Sequence, residues 1–300
     1  MKCMNTDALS RTSARSAQLI AASERNTLDP FTEIDWELPM GDRDYYLPQQ
    51  WLPLFGTPQW EAMDETQRMI YSRHECASLF SAGIWFENQL MQLVLRHLLE
   101  IPVTSPAHRY LLIEVADECR HSSMFGEFIR RADTPTYVPT VDADLEALRH
   151  VPGGRALGYL LILAMEEILD AVNRSTMRDE SVHPVSRAIA KIHVLEEARH
   201  VSFAKTYLAE VWPSLEAEER DAVRSLAPPT VAKVVSLLIN PDVFEGLGIE
   251  GGLIAAQMNP MYRMQSIVGL AKLTAFLTEL CVIDADNVHV WAGYGLVDVV

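Results

Sequence analysis

Two short segments limit what this chain can fold into more than anything else in it: Glu118-Cys119-Arg120-His121 and Glu197-Ala198-Arg199-His200. Both lie in stretches whose apolar spacing reads as helix, where residues three or four apart share a face. At ~100° per residue, His193, Glu197 and His200 fall within about 60° of one another and converge on one point. Glu118 and His121 do the same from another helix. The glutamates that complete such a set can be sought by spacing. Glu87 lies 31 residues before Glu118, Glu166 lies 31 residues before Glu197, and the two pairs are offset by 79 residues. A duplicated helix pair giving its ligands at equal heights leaves this signature. One glutamate from each of two helices and a Glu-x-x-His from each of two others make up the ligand set of a carboxylate-bridged dinuclear metal site in a four-helix bundle.

The rest of the chain can be organised around those four helices. Residues 1 to about 25 are polar, with one short helix expected around Ser10 to Ser23. Asp29 to Pro58 interleaves Trp36, Tyr45, Tyr46, Trp51 and Phe55 with five prolines, a density that prevents continuous helix. Residues 1–59 therefore read as an N-terminal extended arm that plugs aromatics into grooves of a single helical bundle domain over 60–300. A long helix is expected from Trp60 to Glu100, a second from Ser105-Pro106 to about Arg131, a third from about Arg155 to Met177, and a fourth from Pro184 to about Val211. Pro135, Pro139, Pro152 and Gly153-Gly154 mark a crossover between the second and third, the long connection that a ferritin-like bundle needs. Beyond it, Glu216 to Leu226 and Pro229 to Ile239 read as separate packing helices, and Ala255 to Val282 as one more. No stretch alternates as a strand would. The expected fold class is all-α: a ferritin-like four-helix bundle with additional flanking helices.

Composition narrows the function. With 41 acidic against 25 basic residues and a net charge of −16, nucleic acid is an unsuitable partner, because binding it relies on clustered cations. The longest uninterrupted apolar run, Tyr159 to Met165, is too short for a bilayer, which needs ~20 residues. Met1 to Arg25 lacks the apolar core of a secretory signal. A cytoplasmic protein without a membrane partner is expected. Cys3, Cys76, Cys119 and Cys281 are far apart and form no C-x-x-C pair, which argues against a disulfide framework or a zinc ribbon.

The proposed metal ligands are Glu87, Glu118, His121, Glu166, His193, Glu197 and His200. Glutamate oxygens and imidazole nitrogens suit iron and manganese, and no thiolate joins the set. Two iron ions are the natural occupants, since a reduced pair can hand two electrons to O₂; manganese or a mixed Mn/Fe pair is the rival. His193 is either a ligand or a buried histidine behind one. Glu167 competes with Glu166 but breaks the equal spacing. Asp117 and Glu196, each preceding a ligand glutamate, either orient ligand histidines or are solvated charges. Arg120 and Arg199 point away from the ligand side and suit ion pairs between helices. His74, His97, His108, His150, His183 and His289 default to surface or capping roles. Gly83, Ile84, Met91 and Phe125 lie on the metal face as candidate pocket lining, with Gly83 either leaving room for substrate or permitting close helix packing.

His193-Val-Leu-Glu-Glu197-Ala-Arg-His200, with its extra histidine four residues before the glutamate, resembles the di-iron arylamine N-oxygenases, the p-aminobenzoate N-oxygenase family. Ala-Met-Glu166-Glu, Asp-Glu118-Cys-Arg-His121 and Phe86-Glu87-Asn-Gln look like its companion segments, and the likeness covers roughly residues 30 to 210. It implies an O₂-activating di-iron monooxygenase that N-oxygenates an arylamine or similar small-molecule amine through a peroxo-di-Fe(III) intermediate, in secondary metabolism. It also implies an external electron donor, since no flavin or nicotinamide fingerprint is present. Ribonucleotide reductase small subunits fit less well: their radical tyrosine, four residues after the first Glu-x-x-His histidine, corresponds here to Phe125. Alternatives are a C–H hydroxylase or desaturase, or a ferroxidase with no organic substrate. The aromatic arm and the apolar tail favour a homodimer.

Overall fold

Helix boundaries follow from the caps. The computed structural model describes residues 11–139 and 150–298. In chain order the helices are α1 (Arg11–Arg25), α2 (Pro30–Glu33), α3 (Pro58–Ala62), α4 (Glu65–Leu98), α5 (Pro106–Arg131), α6 (Gly154–Thr176), α7 (Pro184–Val211), α8 (Ala217–Ser236), α9 (Pro241–Gly246), α10 (Gly252–Gln257), α11 (Pro260–Glu279) and α12 (Val288–Gly293). Ser105 caps α5, with Pro106 in its first turn, where the missing N–H costs nothing. His183 caps α7 through its ring, accepting from the Val185 N–H. Among the described residues there is no strand, only an isolated bridge between Tyr45 and Val182. The all-α, ferritin-like expectation holds.

Three boundaries differ from expectation. The first long helix breaks at Met63, because Asp64 and Gln67 form a reciprocal capping box that starts α4. The pattern from Ala255 onward is interrupted at Asn259-Pro260: the Asn259 side chain accepts from the Met261 N–H and donates to the carbonyls of Pro53 and Phe55. Conversely, α8 runs straight through Pro228 and Pro229. Proline in a helix interior costs ~3 kcal/mol or more. Here Val223, Ala227, Pro228, Val231 and Val234 form a continuous buried face laid along α6. Each fully buried large aliphatic side chain returns ~1.5–3 kcal/mol, so tertiary packing overrides the local break. By length and composition alone the segment Ala217–Gly246 could cross a membrane, a signal that a count of uninterrupted apolar residues misses.

In the bundle α4 packs along α5 and α6 along α7, the two hairpins that the 79-residue repeat foreshadows. The crossover between them lies partly outside the described residues. Helix α6 is buried on nearly every side, through Leu157, Leu160, Leu163 and Ile168 among others. Helix α1 lies across α5 and α7, tied down where the backbone N–H of Thr12 donates to Glu210 Oε2 at 2.7 Å. The aromatics of the arm are inserted as expected. Trp36, Tyr45 and Tyr46 are buried, Tyr46 stacks on His183 at 5.1 Å, and Ser72 Oγ accepts from the N–H groups of Tyr46 and Leu47.

Candidate metal centre

The seven side chains singled out by spacing all point into the middle of the bundle. Glu87 from α4, Glu118 and His121 from α5, Glu166 from α6, and His193, Glu197 and His200 from α7 are each no more than 3% exposed. The two Glu-x-x-His units face each other reciprocally. His200 Nδ1 lies 2.9 Å from Glu118 Oε1, and His121 Nδ1 lies 3.1 Å from Glu197 Oε1. Within each unit, the histidine Nδ1 is 2.9 Å from its own glutamate. Glu87, His121, His193 and Glu197 bring one atom each to a common point, and Glu118, Glu197 and His200 to a second. Glu197 belongs to both. Glu166 stands beside them, within reach of the charges of Glu197 and Glu118.

An uncompensated cluster of this kind is unfavourable, since buried carboxylates need pairing or metal. Burial and neighbouring carboxylates push Glu87 and Glu166 well above the ordinary carboxylate range. Burial would raise Glu197 too, but His200 and His193 outweigh it and hold it well below that range. His121 and His200 resist the downward pull of burial because carboxylates face them, and both are raised. Protons on imidazoles thus stand where cations are wanted. Glu87 Oε2, Glu166 Oε2 and His193 Nε2 are buried with no hydrogen-bond partner. Buried polar atoms are satisfied in more than ~90% of cases; three orphans on ligand side chains of one cluster fit the donor set of a dinuclear metal site.

The partners behind the ligands fix which nitrogen faces the centre. His121 Nε2 lies 2.9 Å from Glu196 Oε2, and His200 Nε2 lies 3.3 Å from Asp117 Oδ2. Each acidic residue therefore serves the histidine of the opposite helix, leaving Nδ1 free to coordinate. Arg199 reaches Asp117 at 3.2 Å and Glu196 at 3.5 Å, and Arg120 bridges the same two carboxylates. The solvated-charge alternative for Asp117 and Glu196 is thereby removed, and the arginines pair between helices as expected.

Asn173 is the partner that sequence reasoning missed. It lies 3.1 Å from His193 Nδ1 and turns His193 Nε2 toward Glu87 and Glu197, at 3.7 and 3.8 Å. Burial lowers His193 to about 4, so its imidazole is neutral with a lone pair to offer. The signal was available: Glu166, Asp170 and Asn173 recur at helical spacing on α6. Glu167 does not replace Glu166; it pairs with Lys205 and Lys272. Asp170 holds Arg174 at 2.7 Å and Lys272 at 2.9 Å.

Matching against family models places residues 10–280 of this chain in the family described as P-aminobenzoate N-oxygenase AurF. The chain belongs to the AurF family. Two relatives share 30% identity over 237 residues, covering 75% of this chain and 68% of theirs: the uncharacterized proteins Rv0885 of Mycobacterium tuberculosis and Mb0909 of Mycobacterium bovis. The family is one of di-iron oxygenases with an all-α ferritin-like fold, and the His and Glu cluster described above could bind metal.

The residues expected on the metal face and the cavity that the structure shows are in different places. A Cβ on Gly83 would stand 3.0 Å from the Phe125 ring, so this glycine serves close packing of α4 on α5. A cavity of about 760 Å³ opens elsewhere, between α4, α6, α7, α8 and the end of the crossover. Gly83, Ile84, Met91 and Phe125 do not line it. Its walls include Phe86, Leu90, Leu161 and Ile162, with Arg96, His97 and Tyr207 further out. Phe86 and Leu90 flank the ligand Glu87, a position the metal-facing helix register could not reveal because the groove lies to one side of it.

Proposed function

We propose that this chain is an oxygenase that inserts oxygen from O₂ at the nitrogen of an arylamine or similar amine, using a pair of iron ions held by Glu87, Glu118, His121, Glu166, His193, Glu197 and His200. The single observation that carries this reading is the third imidazole: His193, held by Asn173 with its Nε2 aimed beside Glu87 and Glu197, on a chain matched by the AurF family model. When bound, the metals supply electrons to O₂; the protein's part is to bind, orient and exclude water. Asp117 and Glu196 orient His200 and His121 by accepting from their Nε2–H. Phe125 closes the other side, its ring 5.5 Å from His193 and 6.4 Å from His121. The groove beside Glu87 offers an amine bearing an aromatic ring an apolar approach along Leu90 and Leu161.

The remaining parts of the reading follow from chemistry. Two electrons per turnover come from an external donor. The described cysteines Cys76, Cys119 and Cys281 are free thiols, which suits a reducing cytoplasm. Exposed Ile254 on α10, Met258 just after it, and Met261, Met264 and Val268 on α11 offer an apolar face to a second copy of the chain. The test is single turnover. Protein loaded with Fe(II) without oxygen is then given ¹⁸O₂ and an arylamine, and products are read by mass spectrometry. Labelled hydroxylamine, nitroso or nitro products are expected. Amine recovered unchanged, with iron released or mineralised, would contradict the reading and favour a ferroxidase.

A further inference from the structure

One end of the bundle carries polar aromatic side chains that nothing so far accounts for. Moving away from the ligands, Tyr110 lies eight residues before Glu118 on α5 and Tyr159 seven before Glu166 on α6. Tyr207 lies seven residues after His200 on α7, and His97 ten after Glu87 on α4. Because neighbouring helices are antiparallel, these offsets bring all four to the same end. They form a connected layer. Tyr110 packs on Phe203 at 5.2 Å between ring centroids, Phe203 on Tyr159 at 6.2 Å, and Tyr159 on Tyr207 at 4.5 Å. His97 packs on Tyr207 at 4.9 Å. Phe203 is one helical turn from the ligand His200. Glu114, one turn before Glu118, acts electrostatically on both Tyr110 and Tyr159. At the outer end, His97 and Tyr207 line the groove.

Within this layer Tyr159 is fully buried, and its hydroxyl lies 2.7 Å from His97 Nδ1, to which it donates in the tautomer that carries the proton on Nε2. Burial lowers His97 to about 4, so at neutral pH its ring is uncharged and can accept a proton. A phenol hydrogen-bonded to a neutral imidazole can lose its electron and its proton together, avoiding a buried phenol radical cation.

We propose that Tyr159 and His97, with Tyr207 as the outer member, form a redox relay that drains a stray oxidising equivalent from the metal centre to the groove when O₂ reacts with no amine present. Tyr159 gives one electron toward the centre and its phenolic proton to His97 Nδ1, leaving a neutral tyrosyl radical and an imidazolium. A soluble one-electron donor of the ascorbate or thiol class, entering the groove, returns the electron through Tyr207. The proton goes back from His97, and the layer is restored. The proposal rests on the di-iron reading only for the source of the oxidant.

Two arms test it. In the first, Fe(II)-loaded protein is mixed with O₂ without amine and freeze-quenched for electron paramagnetic resonance. A radical is expected whose hyperfine pattern collapses in protein made with ring-deuterated tyrosine, and which is lost in Tyr159→Phe. That variant should also accumulate more covalent oxidation of residues around the centre, read by peptide mass spectrometry, while Tyr207→Phe prolongs the Tyr159 radical. No tyrosyl radical, and equal self-oxidation in wild type and Tyr159→Phe, would overturn the proposal. The second arm needs no iron. A ruthenium photosensitiser is attached at Gln92→Cys, on the groove wall, in a chain with Cys3, Cys119 and Cys281 changed to serine. Flash oxidation should deposit the radical on Tyr159. An identical radical in the Tyr159→Phe background would overturn the relay even if the chain binds no metal, an outcome that would overturn the proposed function separately.

Discussion

The two ends of the bundle are built from the same kind of ring and differ by a few oxygen atoms. On the side of Phe125, Phe80 stacks on Phe125 at 4.7 Å and meets Phe128 edge-on at 4.7 Å, and Tyr46 packs on Phe128 at 5.9 Å. Nothing in the Phe80, Phe125 and Phe128 cluster can exchange a proton. On the side of Tyr159, hydroxyls, an imidazole and the carboxyl of Glu114 are packed at similar spacing, and the layer opens on a groove. Burial raises Tyr110 and Tyr159 well above the ordinary phenol range and Tyr207 less far. Packing alone would have been served by phenylalanine at both ends. The contrast sets a cluster of phenylalanines on one side of the centre against hydroxyls and an imidazole that reach the groove on the other, the side on which the proposed relay runs.

The largest expected break in that contrast is at the phenylalanine cluster. Phe128 is fully buried, so Phe128→Ala should cost ~3–5 kcal/mol through lost burial and a cavity, measured by urea unfolding. Tyr159→Phe, at the other end, should cost only ~1–2 kcal/mol by leaving His97 Nδ1 without a partner. Equal losses would show that the two ends do not differ as described.

Next in size is a polar group beyond that cluster. Glu75 is buried near Tyr71, and burial raises it from 4.5 to about 8, so it is neutral in the fold at pH 7. The folded state therefore binds the proton more tightly than the unfolded chain. This contribution is fully present below about pH 4.5 and is lost as pH rises through about 8, at up to ~1.36 kcal/mol per pH unit. Glu75→Gln should flatten that slope and raise stability at pH 8 relative to pH 5, as followed by thermal melts across pH.

Between the ends, Asp117→Asn and Glu196→Gln weaken the acceptors behind His200 and His121. Each should lower iron affinity ~10–100-fold, read by titration against a chelator, with folding retained. The smallest effect is expected at Gly83→Ala. Alanine is favoured in a helix by ~1 kcal/mol, but its Cβ would press on a Phe125 ring held between Phe80 and His193. Overpacking costs ~1–3 kcal/mol, leaving a net loss of about 1 kcal/mol in urea unfolding.

How much of this was legible in the sequence varies with the physics involved. Ligand positions were legible because helical periodicity fixes a face and equal spacing fixes a height: Glu87 and Glu166 were found by arithmetic alone. The oriented pairs Asp117–His200 and Glu196–His121 were only half visible, since their geometry crosses between helices and depends on tertiary placement. Asn173 was not legible as a partner because a neutral amide on α6 leaves no charge signal, and its contact with His193 crosses between helices. His97 was assigned a surface or capping role for lack of a carboxylate at matching phase, yet its partner is a phenol 62 residues away. The groove was not legible, because a helix register tells which face meets the metal, not where neighbouring helices leave a gap. Pro228 and Pro229 misled in the opposite direction, through a local rule that the α6 interface overrides.

Iron per chain is the measurement that bears most directly on the central claim. Protein loaded anaerobically and freed of loose metal should retain two iron ions per chain, magnetically coupled in the Mössbauer spectrum after oxidation. Glu197→Ala, which removes the one carboxylate shared by both points of convergence, should retain no coupled pair. Retention of no tightly held iron by the wild type, or an unchanged coupled pair in Glu197→Ala, would contradict the account.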